Sequence, residues 1–188
     1  IQALLFGDGG ILAFGANCFN MAFILPYLGF FLYKLLLKKT GMRKLSAAIG
    51  SYIGINAAAF CAAVEFGIQP LLFKNAEGQA LYCPYPLSVS IPAMMIGHIT
   101  LFGLAEIILT VVVLTFVEKV TPKALDAVPD KTAFKPLYIL MAVLIVLTPL
   151  GLLATGTAWG EWGADEIAGL VSGGSQLGYT PSGMTNGF

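Results

Sequence analysis

Amide, carboxylate and imidazole side chains interrupt the long apolar runs of this 188-residue chain. A polar group inside an apolar segment is costly to bury unless it is paired or binds something. These side chains are therefore the first candidates for chemistry. They are Asn17, Asn20, Asn56, Glu65, His98 and Glu106.

The asparagines allow two interpretations, a functional role or hydrogen bonding between helices. Asn17 and Asn20 are three residues apart, which predicts that they share one helix face. Glu65 lies near the end of its apolar run, so it is either a solvated helix end or part of a site. Glu106 lies deeper, and we expect it to be protonated, paired across helices or facing a cavity.

His98 is the single histidine of the chain. It is either a hydrogen-bonded core residue or a metal ligand, and without a Cys or His nearby it would make a poor metal site. The sequence contains no Ser-His-Asp set, HExxH, Walker A or GxGxxG motif. No catalytic residue and no bound cofactor are therefore predicted, and the chain is not expected to be an enzyme.

Composition places these residues in a membrane protein. The chain has a mean hydropathy of +0.84, and only 11% of its residues are charged. Soluble domains carry about 25% charged residues. Ten basic residues balance ten acidic ones, which argues against nucleic-acid binding. The cysteines form no CxxC pair, and no internal disulfide is expected.

The apolar runs predict an all-α polytopic membrane protein with about four transmembrane helices, because a bilayer core needs about 20 apolar residues per helix. Pro26 and Pro149 are expected to kink their helices. The chain is treated as one membrane domain, 1–188. The predicted helices span 11–37, 45–67, 91–117 and 136–155, followed by an external tail at 156–188.

The basic residues predict the orientation. Nine of the ten lie in the first and third connections or at their helix ends, and Lys74 is the remaining one. Positively charged loops stay in the cytoplasm. We therefore expect a multi-pass protein of the cell (inner) membrane with both ends of this chain outside.

The second predicted helix carries a ladder of small residues spaced four apart. Such a stripe lets another helix backbone approach closely. It serves either packing within this protein or docking of a separate membrane subunit. The ladder consists of Ser46, Gly50, Gly54, Ala58 and Ala62, with Gly50, Gly54 and Ala58 as the proposed docking residues.

Several segments together resemble the CbiM/NikM family, the substrate-binding membrane subunits of energy-coupling-factor transporters for cobalt and nickel. The most specific are QALLFGDGGILAFGAN at 2–17, followed by Asn20-Met21, and the GTAWGEWG stretch within LTPLGLLATGTAWGEWG at 147–163. The others are AFCAAVEFGIQPLL at 59–72 and PAMMIGHITLFGLAE at 92–106.

The resemblance implies capture of a divalent cobalt or nickel ion at the outer face of the lipid bilayer. It implies a transmembrane coupling subunit, cytoplasmic ATPase subunits and often a small extra membrane subunit as partners. Many members supply cobalt for cobalamin biosynthesis. The family's nitrogen ligands lie in a Met-His start and a Gly-Thr-Ser-Gly-His-like segment, neither of which occurs here. We therefore expect the sequence to be a piece of a longer chain.

Asn17 and Asn20 are the residues expected to support those ligands. An alternative function is a structural or assembly subunit that uses the small-residue ladder and binds no ion. A membrane-embedded hydrolase ranks behind both, because no nucleophile or metal set is found. The sequence does not discriminate cobalt from nickel.

Overall fold

A computed structural model of the chain describes residues 14–125, 135–147, 179, 181 and 182. The prediction of an all-α membrane protein is confirmed. Three helices are long and apolar enough to cross a membrane: α1 (Phe14–Thr40), α2 (Arg43–Leu72) and α3 (Leu87–Val120). A short 3₁₀ turn (Pro122–Leu125) and a helix, α4 (Lys135–Leu147), complete the described elements.

The helices differ from their predicted bounds mainly at the ends. α2 continues five residues past the predicted end at position 67. Pro70 is tolerated there because it lies in the last turn, where its missing backbone N–H removes only one hydrogen bond. α3 begins four residues before the predicted start at position 91. The predicted fourth span is described only over α4, and its remainder, Pro149 and most of the predicted tail lie outside the described residues.

A tight turn joins α1 to α2. Gly41 has φ 69°, the left-handed conformation that ends a helix, and its N–H donates to the Leu37 carbonyl over 2.9 Å. The Thr40 hydroxyl oxygen accepts the Met42 N–H over 3.2 Å. Because only Gly41 and Met42 separate the two helices, α1 and α2 form an antiparallel hairpin.

α2 is the central helix, because both α1 and α3 pack on it. One side of α2 presents Gly50 and Gly54 to the α1 backbone. The opposite side presents Ala63 and Gly67 to the start of α3, where the Ser90 hydroxyl donates to the Ala63 carbonyl over 2.8 Å. Small residues therefore allow close approach on both sides of one helix.

Two of the helices contain π-helical segments. Cys18–Ile24 is π-helical in α1 and directly precedes the α-helical stretch that carries Pro26 near its start. His98–Phe102 is π-helical in α3. π-helical turns occur frequently at functional sites, and these two contain Asn20 and His98.

The two ends of the bundle differ in charge. At one end, Glu118 of α3 lies 3.8 Å from the Arg43 guanidinium and 3.6 Å from the Lys44 ammonium at the start of α2. The first and third connections therefore share one end, as the predicted orientation requires. At the other end, the α2–α3 loop contacts the tail, because the Ala80 N–H donates to the Tyr179 hydroxyl over 3.0 Å.

Candidate functional site

The structure joins two of the predicted polar residues in one contact between α1 and α2. The Asn20 side-chain nitrogen, Nδ2, donates to Glu65 Oε2 over 2.8 Å. Asn20 is 4% exposed and Glu65 is half-buried. Glu65 is therefore hydrogen-bonded to the neighbouring helix, so the solvated-helix-end interpretation does not describe it fully.

The other end of the Asn20 amide has no donor. Its Oδ1 is buried and accepts no hydrogen bond within the part of the chain that the structure describes. A buried acceptor without a donor costs about 1–3 kcal/mol. Native proteins leave few such atoms, and each calls for a physical explanation.

Local backbone geometry separates Asn20 from Asn17. The α-helical stretch ends at Asn17, and the π-helical segment begins at the next residue. A π-helical turn is wider than an α-helical turn, so the Asn17 and Asn20 side chains are not separated by the angle around the helix axis that an α-helix would give. Asn20 reaches Glu65, whereas the half-buried Asn17 makes no side-chain hydrogen bond among the described residues.

Asn56 lies on the opposite side of α2. It is nine residues from Glu65, which is about two and a half helical turns. Its Nδ2 donates to the Tyr52 carbonyl over 2.8 Å, and its Oδ1 is also buried without a donor among the described residues. Asn56 thus resembles Asn20 in its unpaired oxygen but has no carboxylate bonded to its nitrogen.

His98 makes its hydrogen bond within α3. Its Nδ1 lies 2.9 Å from the Met94 carbonyl oxygen. Since a carbonyl only accepts, Nδ1 carries the proton, and a neutral ring keeps its lone pair on Nε2. The ring also packs against Phe102, with 5.1 Å between centroids. This geometry agrees with the hydrogen-bonded core interpretation.

Glu106 also bonds within its own helix. The Thr110 hydroxyl donates to Glu106 Oε1 over 3.1 Å, and Glu106 is half-buried. Asn20 and Glu65 are therefore the two predicted polar residues that the structure brings together. The side-chain hydrogen bonds of Asn56, His98 and Glu106 are local to their own helices.

The small-residue ladder faces α1 at two of its proposed docking residues. A Cβ at Gly50 would lie 2.6 Å from the Gly29 carbonyl oxygen, and one at Gly54 would lie 2.8 Å from that of Leu25. Ala58 is 2% exposed. The contact that the structure describes at Gly50 and Gly54 lies within this chain.

Sequence reasoning missed Tyr52. Its ring packs against Gly103, and its hydroxyl donates to the Ile99 carbonyl, in the π-helical segment of α3, over 2.8 Å. A tyrosine four residues before Asn56, within an apolar helix, was the available signal. The contact fixes the position of α3 along α2 next to His98.

The α2–α3 loop is held from the end of α2. The Gln69 side-chain oxygen accepts the Cys83 N–H over 3.0 Å. Burial raises the pKa of the Cys83 thiol, and a hydrogen bond with the backbone of Tyr85 partly opposes that rise. Cys83 thus remains a thiol at neutral pH and is a poor nucleophile.

Within the described ranges, no group of three or more His, Cys, Asp or Glu side chains is placed to hold a metal ion. What the described residues offer is a carboxylate and an amide that meet between two helices. Such groups can orient a ligand or offset charge through hydrogen bonds.

The known proteins that resemble this chain are described as cobalt, nickel or transition metal transport proteins. The family model described as "Cobalt uptake substrate-specific transmembrane region" matches residues 1–124. A "Probable fused nickel transport protein LarMN" from Lactiplantibacillus plantarum is 47% identical over 188 residues, covering 100% of this chain and 57% of that protein. A "Fused nickel transport protein NikMN" from Rhodobacter capsulatus is 43% identical over 202 residues, covering 100% of this chain and 58% of that protein.

A solved structure shows the same fold. A chain described as a transition metal transporter has a TM-score of 0.62 and 51% identity, covering 74% of this chain and 59% of that chain. The present chain spans a little over half the length of the relatives that it matches.

Proposed function

The chain belongs to the CbiM family of cobalt uptake transmembrane proteins and is a multi-pass membrane protein; from this premise we propose that it is part of a membrane subunit that captures a divalent cobalt or nickel ion for import. The observation that carries the proposal is its similarity, along its whole length, to a nickel transport protein. The transported ion is cargo rather than a resident cofactor.

ATP-driven coupling belongs to the same proposal. The sequence contains no Walker A motif, so ATP hydrolysis would take place on separate cytoplasmic subunits. A transmembrane coupling subunit would transmit the resulting change, and a small extra membrane subunit would complete the assembly. Supply of cobalt for cobalamin synthesis is the proposed use when cobalt is the ion.

The metal ligands themselves are proposed to be nitrogens. Cobalt and nickel are well suited to imidazole nitrogen, whereas carboxylate and carbonyl oxygens suit magnesium, calcium and manganese. The family resemblance assigns those nitrogens to segments that precede the QALLFGDGG stretch. The described helices would then hold and orient the ligands, with Asn17 and Asn20 as proposed supporting residues.

Uptake measurement tests this function. The whole protein would be expressed in a nickel-uptake-deficient bacterium together with its coupling and ATPase subunits, and ⁶³Ni²⁺ and ⁵⁷Co²⁺ would be followed. We expect uptake that is lost when the Walker A lysine of the ATPase is replaced. Uptake that survives that replacement would contradict the proposed ATP coupling. Absence of metal binding to the purified protein would contradict the proposed ion capture.

The alternative of an assembly subunit without an ion relied on the small-residue ladder as a docking face. In the structure α1 covers that face at Gly50 and Gly54. Calorimetry on the purified protein separates the two functions, because an assembly subunit would take up neither Ni²⁺ nor Co²⁺.

A further inference from the structure

The orientation of the Asn20 amide is set from the neighbouring helix. The amide nitrogen of Asn20 faces the Glu65 carboxyl group, because Nδ2 donates a hydrogen bond to Glu65 Oε2. The amide oxygen then points away from Glu65, into the protein. Glu65 thereby directs a buried acceptor at a point where the described residues supply no donor.

The chemistry of that acceptor selects its donor. An amide whose N–H is bound by a carboxylate is polarised, and its oxygen becomes a stronger acceptor in a site of low dielectric constant. Such an oxygen prefers a donor that carries positive charge or is polarised by a metal ion. A metal-bound imidazole is a donor of this kind, because its second N–H is regularly held by a carboxylate or carbonyl oxygen.

We propose that Asn20 Oδ1 accepts the N–H of an imidazole bound to the transported ion, and that the charge of Glu65 acts on the ion through Asn20. This inference rests on the proposed function, since it presupposes that the protein captures Co²⁺ or Ni²⁺. Asn20 is then a positioning residue for a metal ligand. Glu65 contributes part of the negative charge that offsets a divalent cation in a membrane.

Asn56 supplies a matched comparison within the same bundle. It also has a buried oxygen without a donor among the described residues, but its nitrogen donates to a neutral backbone carbonyl of its own helix. No carboxylate polarises it. If charge relayed through the amide is what matters, Asn56 should influence the stability of the protein and not its affinity for metal.

The test uses the full-length protein and titration calorimetry with Ni²⁺. Asn20→Ala removes the acceptor, and Glu65→Gln keeps an oxygen for the Asn20 N–H while removing the charge. Loss of a group that supports a metal ligand typically lowers affinity about 10- to 100-fold. We expect Asn20→Ala to fall in that range and Glu65→Gln near its lower end, about 10-fold. Asn56→Ala should bind as the wild type does.

The double variant decides whether Glu65 acts through Asn20. If it does, Glu65→Gln adds no further loss once Asn20 is alanine, so the two effects are strongly non-additive. Two effects that multiply would show that Glu65 acts on the ion directly and would overturn the relay. Single variants with wild-type affinity would overturn it as well, and so would an equal loss in Asn56→Ala.

Two further measurements keep the result independent of folding. Thermal unfolding of each metal-free variant is followed in detergent, and Asn20→Leu, which also lacks an acceptor, replaces Asn20→Ala if the alanine variant does not fold. The visible spectrum of the Co²⁺-loaded protein should change in the Asn20 variant, because the ligand that it orients shifts. An unchanged spectrum contradicts the inference, whereas a wild-type protein that binds no metal contradicts the proposed function itself.

Discussion

The Tyr52 hydroxyl on α2 donates to the Ile99 carbonyl on α3 over 2.8 Å. Ile99 lies in the π-helical segment of α3, one residue after His98. The Tyr52 ring also fills the space beside Gly103, where a Cβ would lie 2.6 Å from it. The Tyr52 side chain thus contacts α3 both through a hydrogen bond and through ring packing, next to His98.

Tyr52→Phe should lower stability modestly. The change removes the hydrogen bond and keeps the ring, and hydrogen bonds between helices in membranes contribute about 0.6 kcal/mol on average, up to about 1.7 kcal/mol. Unfolding in mixed micelles would measure the loss. Tyr27→Phe is the control, since Tyr27 is 67% exposed on α1. Equal stability of both variants would show that the Tyr52 bond contributes nothing measurable.

Gly54→Leu should separate α1 from α2. A side chain at this position meets the Leu25 carbonyl oxygen at 2.8 Å and the Gly29 Cα at 3.4 Å, so the helices must move apart. Overpacking of this kind costs about 1–3 kcal/mol. Gly15→Leu is the control, because a Cβ there meets nothing within 4 Å.

Purification of the Gly54→Leu variant with its partners tests whether the small-residue ladder serves packing within this chain or docking of a membrane subunit. We expect reduced folding yield, since the contact lies within this chain. A variant that folds normally but loses a membrane partner would favour the docking interpretation instead. A variant that matches the wild type in both respects would remove the ladder from the account.

Orientation can be tested by labelling with an impermeant maleimide in intact cells. A cysteine at Gln79 should react from outside, and one at Thr40 should not, because basic loops stay in the cytoplasm. Cys18, Cys61 and Cys83 would first be replaced by serine in both variants, and a separate protein that keeps Cys83 alone would report on that thiol. Native Cys83 should react more slowly than the Gln79 cysteine and faster as the pH rises, since burial raises its pKa. Labelling at Thr40 would reverse the orientation.

His98→Ala in the full-length protein should reduce stability or coupling more than metal affinity. The ring bonds the Met94 carbonyl and packs on Phe102 within α3, which is the geometry of a structural residue. The 188-residue chain alone is expected to bind Ni²⁺ weakly, because one imidazole leaves most of the coordination shell unfilled. Tight binding by this chain that His98→Ala abolishes would make His98 a primary ligand.

Tyr179→Phe should remove the hydrogen bond of one backbone amide in the α2–α3 loop, that of Ala80. The Ala80 N–H donates to the Tyr179 hydroxyl, whereas the Leu81 N–H next to it donates to the Phe73 carbonyl over 3.0 Å. Hydrogen exchange in the variant should speed up at Ala80 and stay unchanged at Leu81. Faster exchange at both amides would mean that the tail orders the whole loop.

The sequence predicted the helices well and their contacts poorly, for physical reasons. Membrane thickness requires an apolar run of fixed length, which is visible in composition. The π-helical segments at Cys18–Ile24 and His98–Phe102 are not visible in composition. Asn17 and Asn20 were therefore expected on one face from α-helical spacing, yet Asn20 is the one that reaches Glu65.

Helix ends show the same limit. Gly67 was interpreted as the end of the second helix, but its missing side chain makes room for Leu87 and Ser90 of α3. The sequence alone does not distinguish a glycine that ends a helix from a glycine that allows two helices to approach closely. The unpaired oxygen of Asn20 could not be predicted either, since it depends on which way Glu65 turns the amide.

The central position of α2 also implies an order of assembly during synthesis. α1 and α2 leave the ribosome before α3, and the short turn at Gly41 lets α1 cover the Gly50 side of α2 at once. The Gly67 side remains open until α3 is made. We expect a ribosome-bound chain that ends before Leu87 to show α1–α2 crosslinks already, and their absence would mean that α3 must arrive before the hairpin closes.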